Sequence, residues 1–203
     1  MILAIDIGGT AAKMGLYEKD GTLVARHEAG VAYDHYKTPI IDTIVREAEA
    51  FTRKHGVTPE CVGVSATGQV DDVTGTVTGS DGKIPGYDGT DFRGALGSLF
   101  HVPVHALNDA NAAALGECFM GAAKGCKNVL MVTLGTGVGG GIVVDGKLYN
   151  GTHGLAGEIG HFPLYADGAP CTCGRRGCFE LYASTRTLSR SAGRMLGGEP
   201  SGR

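Results

Sequence analysis

The stretch Met1-Ile-Leu-Ala-Ile-Asp-Ile-Gly-Gly-Thr10 opens the chain, and Val129-Leu-Met-Val-Thr-Leu-Gly-Thr-Gly137 repeats its pattern. In both, an apolar strand leads into a glycine–threonine loop, and a second strand, an Asp-Gly turn and a third strand follow. Such a duplication predicts an α/β protein with two similar lobes facing each other. Either loop alone is also compatible with an ordinary tight turn. Two loops in matching positions favour a polyphosphate bound from both sides by backbone N–H groups and hydroxyls.

Composition and charge narrow the class of protein. The chain has 203 residues and a formal net charge of −3, so neither a nucleic acid nor a membrane surface is expected as a partner. No apolar run approaches the roughly 20 residues that span a bilayer. The first residues carry no secretory signal, which predicts a cytoplasmic protein. The 35 glycines concentrate in short loops, which indicates close backbone approach to a ligand rather than low-complexity sequence.

The sequence around the two loops predicts alternating strands and helices. Apolar residues at helical spacing predict a helix over residues 39–55, and short apolar runs predict strands over 61–65 and 102–107. In the second half, the glycine-rich segment 135–141 is expected to form a loop, and the next strand is expected over 142–144.

Asn108 and Asp109 stand at the boundary between the predicted lobes. They follow a predicted strand and precede an alanine-rich helix over 110–119. Both residue types are good N-caps, and a residue at a helix start can also face a ligand, so the two interpretations are compatible. We place an N-terminal lobe at residues 1–107 and a second lobe at residues 108–203.

The stretch Cys171-Thr-Cys-Gly-Arg-Arg-Gly-Cys178 brings three thiols within eight residues, and an imidazole lies ten residues upstream. These are soft ligands of the kind that tetrahedral zinc prefers. A disulfide is disfavoured in a reducing cytosol, and a redox pair more often has two residues between its cysteines. The pattern therefore predicts a structural Zn²⁺ site, and its ligands are His161, Cys171, Cys173 and Cys178. Glu158 lies three residues before the histidine and adds a carboxylate that can contact a ligand.

Five motifs together resemble the ROK family of sugar kinases and sugar-responsive repressors. They are Asp6-Ile-Gly-Gly-Thr10, Asn108-Asp-Ala-Asn-Ala-Ala-Ala-Leu-Gly-Glu117, Leu134-Gly-Thr-Gly-Val-Gly-Gly-Gly141, Gly157-Glu-Ile-Gly-His161 and the segment from Cys171 to Glu180. Their order matches the family over essentially the whole chain, and the zinc motif is specific to it. The resemblance implies the actin/hexokinase-like (ribonuclease H-like) fold. It also implies an incomplete second lobe, because members of the family are longer than this chain.

The resemblance further implies ATP-dependent phosphorylation of a hexose or hexose derivative, as in glucokinases. Asp109 matches the catalytic base, which takes the proton from the sugar hydroxyl as it attacks the γ-phosphate. The residues that match sugar-binding positions are Asn108, Asp109, Glu158, His161 and Glu180. The residues that match positions along the path of ATP and Mg²⁺ are Asp6, Gly8, Gly9, Thr10, Lys13, Gly135, Thr136 and Gly137. For Lys13 a solvated strand lysine is an equal alternative. The chain is expected to form a homodimer.

Three departures from the family limit these expectations. The loop Ser80-Asp-Gly-Lys-Ile-Pro-Gly-Tyr87 lacks the asparagine that family kinases place before the Ile-Pro step, so the sugar is not identified. Residues 67–69 are Thr-Gly-Gln where the family has Pro-Gly-Pro. The shorter length predicts little kinase activity for residues 1–203 alone.

A sugar-binding sensor of the repressor type, without kinase activity, is the alternative function. Repressors of this family carry a helix-turn-helix segment before the first strand. Here only Met1 precedes that strand, and the net charge of −3 also disfavours DNA binding. A free-standing zinc ribbon is a third alternative, but the cysteine cluster lacks the basic surface that such a module needs. The sequence therefore favours the kinase.

Overall fold

The computed structural model describes residues 1–32 and 34–197. The chain divides into two compact units, Met1–Ala112 and Ala113–Arg203. The second lobe predicted from the sequence includes residues 198–203, which lie outside the described residues. In the part of the chain that the structure describes, no helix is both long and apolar enough to cross a membrane.

A five-stranded sheet forms the centre of the first unit. The strands of this unit are β1 (Ile2–Ile7), β2 (Ala11–Tyr17), β3 (Leu23–Gly30), β4 (Cys61–Ala66), β5 (Gln69–Asp71), β6 (Thr76–Gly79) and β7 (Val104–Asn108). The sheet has the order β3-β2-β1-β4-β7, and β5 pairs with β6 in a separate hairpin. β2 is antiparallel to both β1 and β3, whereas β4 is parallel to both β1 and β7.

Parallel pairing determines which residues meet at the end of the sheet. Asp6 pairs with Ser65 in the β1–β4 ladder, and Ala66 pairs with Asn108 in the β4–β7 ladder. Parallel strands end at the same edge of a sheet. The carboxyl ends of β1, β4 and β7 therefore lie side by side, and the loop of residues 8–10 (the first glycine loop) begins at this edge.

Of the three described helices that begin in the first unit, the first and the second contribute side chains to the buried core of its sheet. The helices are α1 (Ile40–Lys54), α2 (Phe92–Phe100) and α3 (Asp109–Met120), the last of which crosses the boundary between the two units. Ile44, Ala48 and Phe51 of α1 join the buried core that also contains Leu3 and Ile5 of β1. These α1 residues recur every three or four positions because one face of the helix is buried. The helix predicted over 39–55 is confirmed.

The second unit begins with an antiparallel meander. Its elements are β8 (Val129–Leu134), β9 (Val138–Val144), β10 (Lys147–Leu148), a 3₁₀ turn at Ile159–His161, α4 (Glu180–Ala183) and α5 (Thr185–Met195). The strands form a sheet in the order β10-β9-β8, which repeats the β3-β2-β1 part of the first sheet. Within the described residues, β8 is an edge strand, and its Leu130, Val132 and Leu134 side chains are exposed.

The expected loop over 135–141 is shorter in the structure. β9 begins at Val138, and Gly139, Gly140 and Gly141 pair with β8. These residues have no side chains, so the backbone of the next segment packs directly on the strand: a Cβ added at Gly140 would lie 2.6 Å from the carbonyl oxygen of Gly157. Tertiary packing thus overrides the weak strand propensity of glycine. Only residues 135–137 form the turn, which we name the second glycine loop.

Candidate functional site

Hydrogen bonds fix the conformation of the first glycine loop. The Gly8 N–H donates to the Ala11 carbonyl at 3.0 Å, and the Val31 N–H donates to the Thr10 carbonyl at 3.0 Å. The Tyr36 hydroxyl donates to the Gly9 carbonyl. Gly9 and Thr10 are exposed. The loop therefore presents accessible backbone at the carboxyl end of β1, which suits a ligand that accepts hydrogen bonds.

Asp6 lies beside this loop, and a neighbouring strand orients it. The Ser65 hydroxyl donates to Asp6 Oδ1 at 2.9 Å, across the β1–β4 ladder. Asp6 is exposed, so its carboxylate is accessible to a cation. Lys13 stands opposite Asp6 in the β1–β2 ladder and is also exposed. The position of Lys13 is compatible with both interpretations, a positive charge beside the loop and a solvated strand lysine.

Asn108 caps α3 and also contacts the β4–β5 turn. Its Oδ1 accepts from the Ala110 N–H at 2.9 Å and from the Asn111 N–H at 3.3 Å. Its Nδ2 donates to the Gly68 carbonyl at 2.9 Å. The capping interpretation therefore holds for Asn108. The same bonds fix the position of the next residue, Asp109.

Asp109 combines accessibility with an unfavourable environment for its charge. Its side chain remains exposed, and its Oδ1 accepts from the Ala110 N–H at 2.8 Å. Desolvation by the surrounding protein raises the pKa of Asp109, and the Asp6 carboxylate raises it further, while the hydrogen bond from Ala110 opposes both effects. A carboxylate with a raised pKa is a better proton acceptor near neutral pH than an ordinary aspartate.

Tyr87 is a buried residue of this region whose contacts the sequence did not indicate. It is 1% exposed, and its hydroxyl donates to the Thr67 carbonyl at 3.1 Å. Burial raises the pKa of Tyr87, and the carboxylates of Asp109 and Asp88 raise it further, so the phenol stays neutral. Tyr87 thereby links the 80–87 loop to the end of β4.

The second unit brings the four predicted zinc ligands together. One ligand atom each from His161, Cys171, Cys173 and Cys178 lies within 4.8 Å of the other three. Positive φ angles at Gly174 and Gly177 return the chain so that the thiols converge. The Cys171 N–H donates to the Arg175 carbonyl at 2.8 Å, which closes the turn.

The chemistry of these four side chains fits a divalent zinc ion. Three thiols and an imidazole are the ligand set of a closed structural site. Burial raises the pKa of Cys178 to about 12, with further contributions from the other two thiols. The raised pKa favours the neutral thiol. A bound metal ion favours the thiolate instead, because a coordinated thiol is deprotonated. One imidazole and three thiols, two of them buried and one exposed, therefore converge in an arrangement that fits a zinc ion.

Glu180 lies between the zinc ligands and the second glycine loop. Its Oε1 accepts from the Cys171 thiol at 3.4 Å and lies 3.7 Å from His161 Nδ1. A Cβ added at Gly137 would lie 2.8 Å from Glu180 Oε2, so the carboxylate closely approaches the second glycine loop. The structure thus brings four predicted site residues of the second unit together: Gly137, His161, Cys171 and Glu180.

Glu158 precedes the 3₁₀ turn that carries His161. The Glu158 carbonyl accepts from the His161 N–H at 3.1 Å, and Glu158 is exposed. The predicted residues therefore form two groups, one in each unit. The first group contains Asp6, the first glycine loop, Asn108 and Asp109, and the second contains Glu158, His161, Glu180, the cysteines and the second glycine loop.

Comparisons with known proteins identify the family of the chain. A profile of the ROK family matches residues 2–201. The chain is similar to a glucokinase of Streptomyces coelicolor, with 37% identity over 95% of this chain and 59% of that protein. It is also similar to an N-acetylmannosamine kinase of Vibrio cholerae, with 36% identity over 94% of this chain and 64% of that protein. The chain thus spans less than two thirds of the length of either relative.

Solved structures show the same architecture. A ROK family glucokinase from Streptomyces griseus, in complex with glucose and AMPPNP, has a TM-score of 0.81 at 35% identity, over 97% of this chain and 61% of that chain. A ROK family transcriptional regulator, a homologue of the E. coli MLC protein, has a TM-score of 0.84 at 25% identity, over 98% of this chain and 50% of that chain. The predicted actin/hexokinase-like fold is confirmed.

Proposed function

Because this chain belongs to the ROK family, we propose that it carries the sugar-binding and phosphate-binding residues of an ATP-dependent kinase. The substrate class is a hexose or a hexose derivative, which the similarity to a glucokinase and an N-acetylmannosamine kinase supports. The observation that carries the proposal is the accessible Asp109 carboxylate, whose pKa is raised. It lies at the start of α3, directly after β7, which ends beside β4, and β4 in turn pairs with β1, the strand that carries Asp6.

Asp109 is the proposed general base. The Ala110 N–H holds Oδ1, and the other carboxylate oxygen is the one we assign to the sugar hydroxyl. In phosphoryl transfer the protein mainly positions the groups and stabilises charge, and the base accepts the hydroxyl proton as the oxygen attacks. A raised pKa favours that acceptance, because the proton then moves to a stronger base. The sugar oxygen attacks the γ-phosphate, the proton goes to Asp109, and ADP is the leaving group.

Asp6 and the glycine loops are the proposed phosphate side of the site. Asp6 offers hard oxygen ligands of the kind Mg²⁺ prefers, and the Ser65 hydroxyl orients them. When bound, Mg²⁺ neutralises part of the phosphate charge. In the first unit the proposed donors are the backbone N–H groups of Gly9 and Thr10, while the Gly8 N–H closes the loop on the Ala11 carbonyl. In the second unit the proposed donors are the backbone N–H groups of Thr136 and Gly137, while the Gly135 N–H closes that loop.

The zinc centre is proposed to position sugar-binding side chains rather than to act on the phosphate. His161 Nδ1 faces the Cys171 thiol at 3.6 Å, so we assign its other ring nitrogen to a sugar hydroxyl. Glu180 is held beside the same thiol, and Glu158 begins the turn that carries His161. These residues are the proposed hydroxyl contacts of the second unit, and Asn108 is the hydroxyl contact proposed in the first. A cytoplasmic location, which keeps the thiols reduced, and a homodimeric state belong to the same proposal.

The decisive experiment replaces the base. Asp109→Asn, in a chain extended to the length of the relatives, should lower kcat by at least ~10² while sugar affinity measured by calorimetry stays within about threefold. Asp42→Asn is the matched control, because Asp42 also lies in the first turn of a helix but far along the sequence from any proposed site residue. Unchanged turnover in Asp109→Asn would refute the assignment.

The sensor alternative rests on the similarity to a ROK transcriptional regulator. A sensor would bind a sugar in the same extended chain without releasing ADP from ATP. A panel of hexoses, tested in parallel by calorimetry and by a coupled ADP-release assay, separates the two functions. Sugar binding with no ADP release for any hexose would favour the sensor over the kinase.

A further inference from the structure

Thr185 contacts the second glycine loop from a position 50 residues further along the chain. Its backbone N–H and its hydroxyl both donate to the Gly135 carbonyl, at 3.0 and 2.6 Å. The loop itself is closed by the Gly135 N–H, which donates to the Gly137 carbonyl at 2.9 Å. The carbonyl of Gly135 and the N–H of Thr136 belong to one planar peptide group. Two donors on that carbonyl therefore also fix the direction of the Thr136 N–H.

A short, hydrogen-bonded segment connects Thr185 to the zinc ligands. The chain passes from Cys178 through α4 to Ser184, whose N–H donates to the Glu180 carbonyl at 3.1 Å. Ser184 is 4% exposed, and its side chain accepts from the Thr187 N–H at the start of α5. The Thr187 hydroxyl donates to the Leu181 carbonyl at 2.8 Å. These bonds make the segment from α4 to the first turn of α5 one ordered unit.

Glu180 provides a second contact between the same partners. Its carboxylate lies beside Cys171 and His161 on one side, and against Gly137 on the other. The backbone around His161 is also in contact with β9, because a Cβ added at Gly160 would overlap the carbonyl of Val138. The segments that carry the zinc ligands thus contact both ends of the second glycine loop.

We infer that zinc binding sets the geometry of the second glycine loop, and that Thr185 is the positioning residue through which the cysteine segment acts on it. The significance for phosphate binding rests on the proposed function, whereas the coupling itself does not. Removal of zinc releases Cys171 and Cys178, the α4 segment loses its fixed end, and the Gly135 carbonyl loses its donors. The Thr136 N–H then no longer has a single direction.

Hydrogen–deuterium exchange on the 203-residue chain tests this coupling without any nucleotide. Thr185→Val keeps the branched shape and the backbone N–H but removes the hydroxyl, and Thr185→Ser restores the hydroxyl. With zinc bound, the peptide covering residues 134–138 should exchange about fivefold faster in Thr185→Val, the equivalent of about 1 kcal/mol for one hydrogen bond. Thr185→Ser should exchange within about twofold of the wild type. Removal of zinc from the wild type with a chelator should increase the exchange rate of the same peptide. In Thr185→Val, where exchange is already fast, the chelator should increase the rate by a smaller factor.

Two internal controls accompany the measurement. Amides in the middle of β8 should exchange equally in all variants, which shows that the fold is intact. Zinc content should be unchanged in Thr185→Val, which shows that the hydroxyl acts on the loop rather than on the metal. The inference would be overturned by any of three results: equal loop exchange in the wild type and Thr185→Val, fast loop exchange in Thr185→Ser, or loop exchange that does not change when zinc is chelated. Failure of the kinase proposal would appear in the ADP-release assay and not here.

Discussion

Replacing Gly177 by alanine is expected to open the metal centre, whereas the same change at Gly174 is expected to leave it nearly intact. Both glycines lie in the loop between the zinc cysteines, and both have a positive φ, 68° at Gly177 and 86° at Gly174. They differ in their surroundings. A Cβ at Gly174 meets nothing within 4 Å, whereas a Cβ at Gly177 would overlap the carbonyl oxygen of Tyr165.

The size of the two effects follows from these contacts. A non-glycine residue in the left-handed region costs about 1 kcal/mol or slightly more, and Gly174→Ala should lose only this. At Gly177 the backbone must also move. Its N–H donates to the Ala169 carbonyl at 2.8 Å, and its own carbonyl accepts from the Leu164 N–H at 2.7 Å. Losing two such bonds adds about 2 kcal/mol. The total of about 3 kcal/mol corresponds to more than a hundredfold in zinc affinity, against about fivefold to tenfold for Gly174→Ala.

Competition with a chromophoric chelator at neutral pH measures both affinities, and thermal unfolding in excess zinc measures the accompanying loss of stability. The expected order of zinc affinity is wild type, then Gly174→Ala, then Gly177→Ala, with the large step between the two variants. If Gly177→Ala bound zinc as tightly as Gly174→Ala, the close packing of Gly177 against Tyr165 would not be what shapes the centre.

Three further outcomes are expected. Because the pKa of Asp109 is raised, the base should become protonated, and kcat/KM should fall, as the pH decreases through a midpoint above the ordinary aspartate value of about 3.9. A kcat/KM profile without this acid limb, or an identical profile in Asp109→Asn, would contradict the assignment. Chelation of zinc, or Cys173→Ala, should weaken sugar binding at least tenfold in calorimetry, since structural zinc contributes on the order of 10 kcal/mol to such sites; full sugar affinity without metal is the opposing result. Residues 1–203 alone should bind sugar but release little ADP, because they span 59% of the length of the glucokinase relative, and robust turnover by a monodisperse preparation would show otherwise.

The features that the sequence predicted well are encoded locally. Zinc ligands within one short loop have a characteristic spacing, so the convergence of Cys171, Cys173 and Cys178 was foreseeable, and His161 followed from its nearby position. The helix over 39–55 was foreseeable because its buried stripe recurs with the period of a helix. The repeat of strand, loop and strand was visible because, in both copies, the first strand runs into a short loop of glycine and threonine.

Features that depend on distant contacts were not foreseeable. Helix α2 contains Gly94 and Gly97, which weaken its helical propensity, and it begins at an Asp91 cap that accepts from the Gly94 N–H at 2.7 Å. The early start of β9 depends on backbone packing by a segment nearly twenty residues further on, which no local pattern encodes. Thr185 lies 50 residues from the loop that it contacts. The roles proposed for Asp109 and Glu180 also came from a family resemblance rather than from spacing.

The edge position of β8 has a consequence for the handling of the protein. Val129-Leu-Met-Val-Thr-Leu134 is a six-residue segment of high β propensity with no charge and no proline, which is the composition of a steric zipper. In the described sheet one side of this strand has no partner, and Leu130 and Leu134 are 63% and 59% exposed. Lys127 is the nearest charged residue before the segment, at the position where a gatekeeper charge limits aggregation. The strand that leads into the second glycine loop is therefore also the segment through which concentrated solutions of this chain are expected to nucleate cross-β assemblies.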